Sequence, residues 1–144
     1  MTGKNYTDSD PQVEDMAIWR FNTAGSLDTT FNTPQGWVTH DNAADGNGYD
    51  LGYDIIVDGL GKILVTGQSN SASADKDMVI WRYNSDGSLD TTFNEQGWVT
   101  HNSAAGGDSY DTGGCISIDN SGKIVVSGKS VGPSSEAMVI WRYE

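Results

Sequence analysis

Paired tryptophans and histidines are the residues of this sequence best suited to binding a sugar. An exposed Trp stacks on sugar rings, while neighbouring Asp, Asn or His side chains hydrogen-bond the hydroxyl groups. The alternative is a buried aromatic residue with a histidine that caps the end of a strand. The candidate ligand-binding residues are Trp37, His40 and Asp41, and in a second copy Trp98, His101 and Asn102.

Acid–base catalysis would require a pair of titratable side chains, and the candidate pair is His40 with the adjacent Asp41. The second copy has His101 beside Asn102, and adjacent residues of a strand point to opposite faces of a sheet. Paired carboxylates for glycoside hydrolysis would need a defined cleft. The sequence therefore predicts a protein that is not an enzyme and has no catalytic residues, with a hydrolase as a remote alternative.

A polar segment at 41–50 contains several side chains with oxygen atoms close together in sequence, as a calcium-binding loop would. The candidate ligands are Asp41, Asp45 and Asp50. An EF-hand loop would have an oxygen ligand at its third position and Glu at its twelfth, where this sequence has Ala43 and Gly52. The copy at 102–111 loses two of the carboxylates. We therefore expect no metal and no cofactor, with calcium as the alternative.

The charge of the chain restricts its partners, because 20 acidic residues against 8 basic ones give a net charge of −12. Such a surface repels nucleic acid and anionic membranes. No apolar run approaches the roughly 20 residues of a transmembrane helix. We expect a soluble protein without nucleic-acid binding or membrane insertion. No signal peptide is visible, and the compartment stays open, since the single Cys115 excludes an intrachain disulfide without indicating a redox environment.

The candidate residues recur because the sequence is a tandem repeat. A hexapeptide of the form Met-x-Ile-Trp-Arg-aromatic stands at 16–21, 78–83 and 138–143. The segments at 25–32 and 35–40 return unchanged, and the segment at 58–67 returns in similar form at 119–128. The predicted units of this one compact domain are an N-terminal loop from an incomplete repeat at 1–15, repeat 1 at 16–77, repeat 2 at 78–137, and the first strand of a third repeat at 138–144.

Each repeat contains four predicted strands, which in the first copy are 16–21, 36–40, 53–58 and 62–66, with a tight hairpin turn between the last two. Apolar residues occupy both alternating faces, which is typical of sheets covered on both sides. The sequence predicts an all-β fold of four-stranded β-propeller blades, about two per chain plus one extra strand.

Within such blades, the first strand of each repeat carries a Trp followed by Arg. We expect Trp19, Trp81 and Trp141 to form blade core, with the Arg paired to a turn carboxylate such as Asp28 or Asp90. The alternative is that each Trp-Arg pair forms an aromatic and cationic binding shelf.

The hairpin at 122–128, the strand at 80–84 and the turn at 86–94 together resemble the delta-60 repeat, a bacterial β-propeller repeat family of unassigned function. The resemblance covers the chain from Met16 onward. It implies blade geometry and assigns no chemistry. The family usually has Gly after the Phe of the turn, where this sequence has Asn32 and Asn94.

Two blades and a spare strand fall short of the 4 to 8 blades that close a propeller, and they would leave apolar faces and strand edges open. We expect a homo-oligomer that completes a ring, with three copies and six blades as the first expectation and two or four copies as alternatives. The expected function is a noncatalytic repeat module for protein interaction or scaffolding. The alternative is a lectin-like carbohydrate-binding protein with one site per repeat.

Overall fold

Strands and tight turns make up the part of the chain that the computed structural model describes, which is residues 2–6, 14–73, 75–106 and 110–144. Within those ranges no helix could span a membrane. The strands are β1 (Thr2–Tyr6), β2 (Glu14–Trp19), β3 (Trp37–His40), β4 (Asp45–Val57), β5 (Ile63–Ser71), β6 (Lys76–Tyr83), β7 (Trp98–His101), β8 (Tyr110–Ile118), β9 (Ile124–Val131) and β10 (Glu136–Tyr143).

These strands form three stacked blades. The middle blade is complete, with β4, β5, β6 and β7 joined in that order by antiparallel pairing. Strands β1 to β3 supply the second to fourth strands of the preceding blade, and β8 to β10 supply the first to third strands of the following one. The predicted all-β fold of four-stranded propeller-type blades is therefore confirmed.

Strand β1 corrects the prediction that residues 1–15 form only a loop. It pairs with β2, and its Thr2 and Gly3 oppose Ile18 and Ala17. In the middle blade, Thr66 and Gly67 of β5 oppose Ile80 and Val79 in the same way. The Thr-Gly pair was the available sequence signal, but the residues that follow it differ between the two copies, so the repeat was not recognised there.

Strand β4 is also longer than the predicted strand at 53–58, because it begins at Asp45 and includes residues 45–50 of the polar segment. Irregular register between Asp45 and Asp50, and between Gly52 and Asp54, bends this strand while it stays paired with β5. The extension brings Asp50 to the junction between the first two blades.

Hydrophobic cores lie between neighbouring blades. Alternation along β6 buries Val79, Trp81 and Tyr83 against the first blade, while Met78 and Ile80 face the third. Burial of each such side chain contributes about 1.5–3 kcal/mol. Stacking of the blades thus supplies most of the apolar burial, and the middle blade is covered on both sides.

Glycines let the first strand of one blade lie against the second strand of the blade before it. A side chain at Gly52 would overlap the Thr2 hydroxyl, and one at Gly113 would overlap the Thr66 hydroxyl. The two blade junctions therefore have equivalent packing at their inner edges.

Candidate functional site

Two arginines directly follow a tryptophan near the ends of β2 and β6. Arg20 Nε lies 2.8 Å from Asp28 Oδ2, and Arg82 Nε lies 2.9 Å from Asp90 Oδ2. The predicted pairing of arginine with a turn carboxylate is thereby confirmed. Lys62 adds a second cation 2.9 Å from Asp90.

Of the three tryptophans that precede an arginine, two are core residues. Trp81 is fully buried in the core between the first and second blades, and Trp141 is buried in the next core. Trp19 is half-buried on the outer face of the first blade. The expected core role is confirmed for Trp81 and Trp141, whose rings are inaccessible as binding shelves.

Trp37 and Trp98 occupy equivalent strand positions but different surroundings. Trp37 pairs with Trp19 across the first blade, and Trp98 pairs with Trp81 across the middle blade. The indole of Trp98 packs against the first core, and its Nε1 donates a hydrogen bond to Ala43 O at 2.9 Å. Trp37 is 36% exposed. Trp98 therefore joins two blades, whereas Trp37 presents its ring to solvent.

A cleft of about 350 Å³ lies beside Trp37, between the first and second blades. His40, Asn32, Tyr83 and Ser88 also line it. The corresponding cleft between the second and third blades measures about 390 Å³ and is lined by Asn94, Arg82 and Tyr143. The clefts are large enough for a small ligand, but the tryptophan that lines the first has no counterpart among the residues that line the second.

His40 packs at a blade junction. Its ring centroid lies 4.5 Å from that of Trp98 in an edge-to-face contact, and 6.2 Å from that of Trp81. Burial lowers the pKa of His40, although the charge of Asp41 opposes this shift. The neutral imidazole is therefore favoured, and its contacts are those of a packing residue.

The second copy of this arrangement is similar in packing. The His101 ring lies 6.0 Å from the Trp141 ring. Asn102 is exposed, and its side-chain oxygen accepts a hydrogen bond from Ser103 Oγ at 3.3 Å. In the first copy, Asp41 is exposed and accepts a hydrogen bond from Asn42 Nδ2 at 3.1 Å. The candidate residues thus flank both blade junctions.

Asp50 differs from the other two calcium candidates because its side chain is fully buried. Its carboxylate accepts hydrogen bonds from the backbone N–H groups of Asn42 at 3.0 Å and Ala43 at 3.3 Å. Asp41 and Asp45 are exposed. Within the described ranges no three His, Cys, Asp or Glu side chains are grouped so as to hold a metal ion. Asp50 is a structural residue that fixes the connection between blades.

The copy of Asp50 has the same structural role. Asp111 is fully buried, and it accepts hydrogen bonds from the backbone N–H groups of Ser103 at 2.9 Å and Ala104 at 3.3 Å. Sequence reasoning did not assign this role to either residue. The available signal was that Asp50 and Asp111 match between the copies, whereas Asp41 and Asp45 do not.

Asn32 and Asn94 adopt the backbone conformation that glycine would otherwise provide. Their φ angles are 44° and 49°, in the left-handed region that Asn tolerates better than most residues. Their side-chain nitrogens donate to Trp37 O at 2.8 Å and Trp98 O at 3.0 Å. The substitution of Asn for Gly therefore preserves the turn and ties it to the following strand.

Comparison with protein families agrees with this architecture. Residues 8–31 and 61–93 match the family described as a domain of unknown function (DUF5122) beta-propeller. The match is to a β-propeller repeat family. Its second segment spans β5, β6 and the turn that contains Asp90. No curated protein matches the chain. These findings support the blade architecture and assign no ligand or reaction.

Proposed function

We propose that this chain is a noncatalytic β-propeller module for protein interaction or scaffolding, built from repeats of the delta-60 type. The main support is that the side chains best suited to chemistry are engaged in structural contacts. His40 packs against Trp98, Asp50 binds backbone N–H groups, and Asp90 binds Arg82. A module of this kind would act through its surfaces.

A hydrolase screen tests the noncatalytic part of the proposal. A panel of chromogenic esters, phosphoesters and glycosides should give no turnover above the blank, because the His40 ring packs against the Trp98 indole. The matched variants are His40→Ala and, as a control on an exposed turn, Leu60→Ala. Turnover that His40→Ala abolishes and Leu60→Ala preserves would show that the chain is an enzyme.

Carbohydrate binding is the second candidate, and the exposure of the Trp37 ring favours it. The residue also borders a cleft with Asn32 and His40, whose polar atoms suit sugar hydroxyl groups. One site at Trp37 has more support than one site per repeat, because the Trp98 indole N–H already binds Ala43 O.

A glycan array with matched variants separates these functions. Interaction or scaffolding predicts no glycan signal for the native sequence. A lectin site at Trp37 predicts a signal that Trp37→Ala removes and Trp98→Ala largely retains, provided that both variants keep the native circular dichroism spectrum. A signal that survives in the double variant would exclude both tryptophans as the site.

A further inference from the structure

We infer that the outward faces of the first and third blades form a head-to-tail docking surface for a second copy of this chain. The inference rests on the proposed interaction function, because it names the chain itself as a partner. The leading face is the outer side of the first blade and consists of Trp19, Phe21, Leu27 and Trp37. The trailing face is the outer side of the third blade and consists of Val125, Met138 and Ile140.

The trailing face exposes side chains whose copies are buried in the middle blade. Met78 and Ile80 are both 0% exposed, because the third blade covers them. Their equivalents Met138 and Ile140 are 74% and 62% exposed. The same strand position is therefore a completed interface in one blade and an open apolar surface in the next.

The leading face shows the complementary difference. Tyr83 is 3% exposed where it packs against the first blade, while its equivalent Phe21 is 47% exposed. Leu89 packs against the same core, whereas its equivalent Leu27 is 39% exposed. The first blade thus presents an aromatic face of the kind that the middle and third blades bury.

Faces of these two kinds already pack together at both blade junctions of the chain. Met16 and Ile18 of the first blade meet Trp81 of the second, and Met78 and Ile80 meet Trp141 of the third. The trailing face repeats the Met and Ile side, and the leading face repeats the aromatic side. A second copy can therefore extend an interface whose chemistry and strand spacing the chain uses twice.

A hydrogen bond between neighbouring blades supports the same head-to-tail direction of docking. Arg20 of the first blade donates from Nη1 to the Ser85 carbonyl in the turn of the next blade. Arg142 is the equivalent of Arg20 in the third blade, and its side chain is 56% exposed while it binds Asp119. In a head-to-tail pair, Arg142 would face the turn at Thr23 of the second copy, the equivalent of Ser85.

The blade number favours two copies over three. Each chain contributes three blade units, so two chains supply six, within the 4 to 8 that propellers contain. The expectation of three copies assumed two blades per chain, and three chains with three blade units each would supply nine. Because leading and trailing faces differ, the contact is heterologous and closes into a ring when both junctions form.

Sedimentation analysis of two face variants tests the docking surface. The trailing variant is Met138→Glu with Ile140→Glu, the leading variant is Phe21→Glu with Leu27→Glu, and the control is Leu60→Glu on an exposed turn. All five side chains are exposed in a single chain, so circular dichroism should show native folding. We expect native and control chains at twice the monomer mass and each face variant at the monomer mass.

Mixing the two face variants tests the polarity. One intact junction remains between a leading variant and a trailing variant, so the mixture should recover a two-chain species. Monomers in the mixture, or a leading variant that dimerises alone, would overturn head-to-tail docking. A monomeric native chain at its highest soluble concentration would also overturn it. A native dimer unaffected by either variant would reject these faces while leaving an interaction function intact.

Discussion

Asp50 and Asp90 are both buried at or near blade junctions, yet their pKa values move in opposite directions. Burial raises the pKa of Asp50 to about 6, because the hydrogen bonds from Ser69, Ala43 and Asn42 offset only part of the desolvation. Burial also acts to raise the pKa of Asp90, but the hydrogen bonds from Thr92 and Lys62 and the charge of Arg82 outweigh it and hold the pKa well below its usual value. The two pKa values differ because Asp90 has cationic partners, whereas the groups that bind Asp50 are uncharged.

Replacing Asp90 by Asn should destabilise the chain by about 2–3 kcal/mol, because Arg82 and Lys62 lose a charged acceptor. The loss should shrink progressively as the pH falls below about 4, because the lowered pKa contributes full stability only where the unfolded chain is ionised, and that contribution is lost as the pH falls toward the folded pKa. Urea unfolding of both proteins at several pH values measures this. Asp28→Asn is the control and should cost less, because Asp28 is more exposed. Equal losses at both positions would contradict the argument.

Replacing Asp50 by Asn should change the pH dependence of stability. Since the folded pKa of Asp50 is raised to about 6, the native chain holds a proton that the unfolded chain releases near pH 4. This group therefore stabilises the fold in acid and loses that contribution as the pH rises through about 6. When the urea midpoint is plotted against pH, its slope between pH 4 and 6 should be less negative for Asp50→Asn than for the native chain. An unchanged slope would show that other groups dominate.

At the scale of the strand, glycines in the hairpin of each blade set how closely its first two strands approach. A Cβ at Gly128 would overlap the Thr112 carbonyl oxygen. A Cβ at Gly114 would lie 3.6 Å from Ser127 O, an ordinary contact. The irregular register between Gly113 and Cys115 lies beside this approach.

Gly128→Ala should therefore lower the free energy of unfolding by about 1–3 kcal/mol, because the third blade must shift to relieve the overlap. Gly114→Ala should change it by less than about 0.5 kcal/mol. Thermal unfolding followed by circular dichroism compares the two. Similar melting temperatures for both variants would show that the third blade is loose enough to absorb the added methyl group.

The repeats predicted most elements because a strand that returns at fixed spacing must have the same neighbours each time. Strands β2, β3, β5, β6 and β7, and the pairing of Arg20 and Arg82 with turn carboxylates, follow from that rule. Strand β1 could not be predicted in this way, because only Thr2 and Gly3 match the copy. The next three residues, at 4–6, differ from the equivalent residues at 68–70.

The candidate site was less predictable because sequence spacing does not give the direction of a side chain. Asp41, Asp45 and Asp50 are close along the chain, but burial in β4 turns the Asp50 carboxylate to backbone N–H groups. Trp37 and Trp98 lie in identical local sequences. Their different exposure arises from the neighbouring blade, which the local pattern does not contain.

On the scale of the whole molecule, the middle blade differs from its neighbours in having a blade on each side. In the trailing variant, whose outer face stays uncovered, amides in β6 should exchange with solvent at least about tenfold more slowly than those in β10, because opening β6 disrupts two cores while opening β10 disrupts one. Hydrogen exchange followed by mass spectrometry, on the trailing variant as well as the native chain, measures this. Equal protection in the variant would indicate that the three blades unfold as one unit.

The edge-to-face contact between His40 and Trp98 also has an optical consequence. A protonated imidazole quenches indole fluorescence at short range, whereas a neutral one does so weakly. Because burial lowers the pKa of His40, the Trp98 indole should remain bright in mild acid until the blades separate or the imidazole takes up a proton. The junction between the first two blades thus contains an intrinsic fluorophore and its own quencher, which together report on the integrity of that junction without any added label.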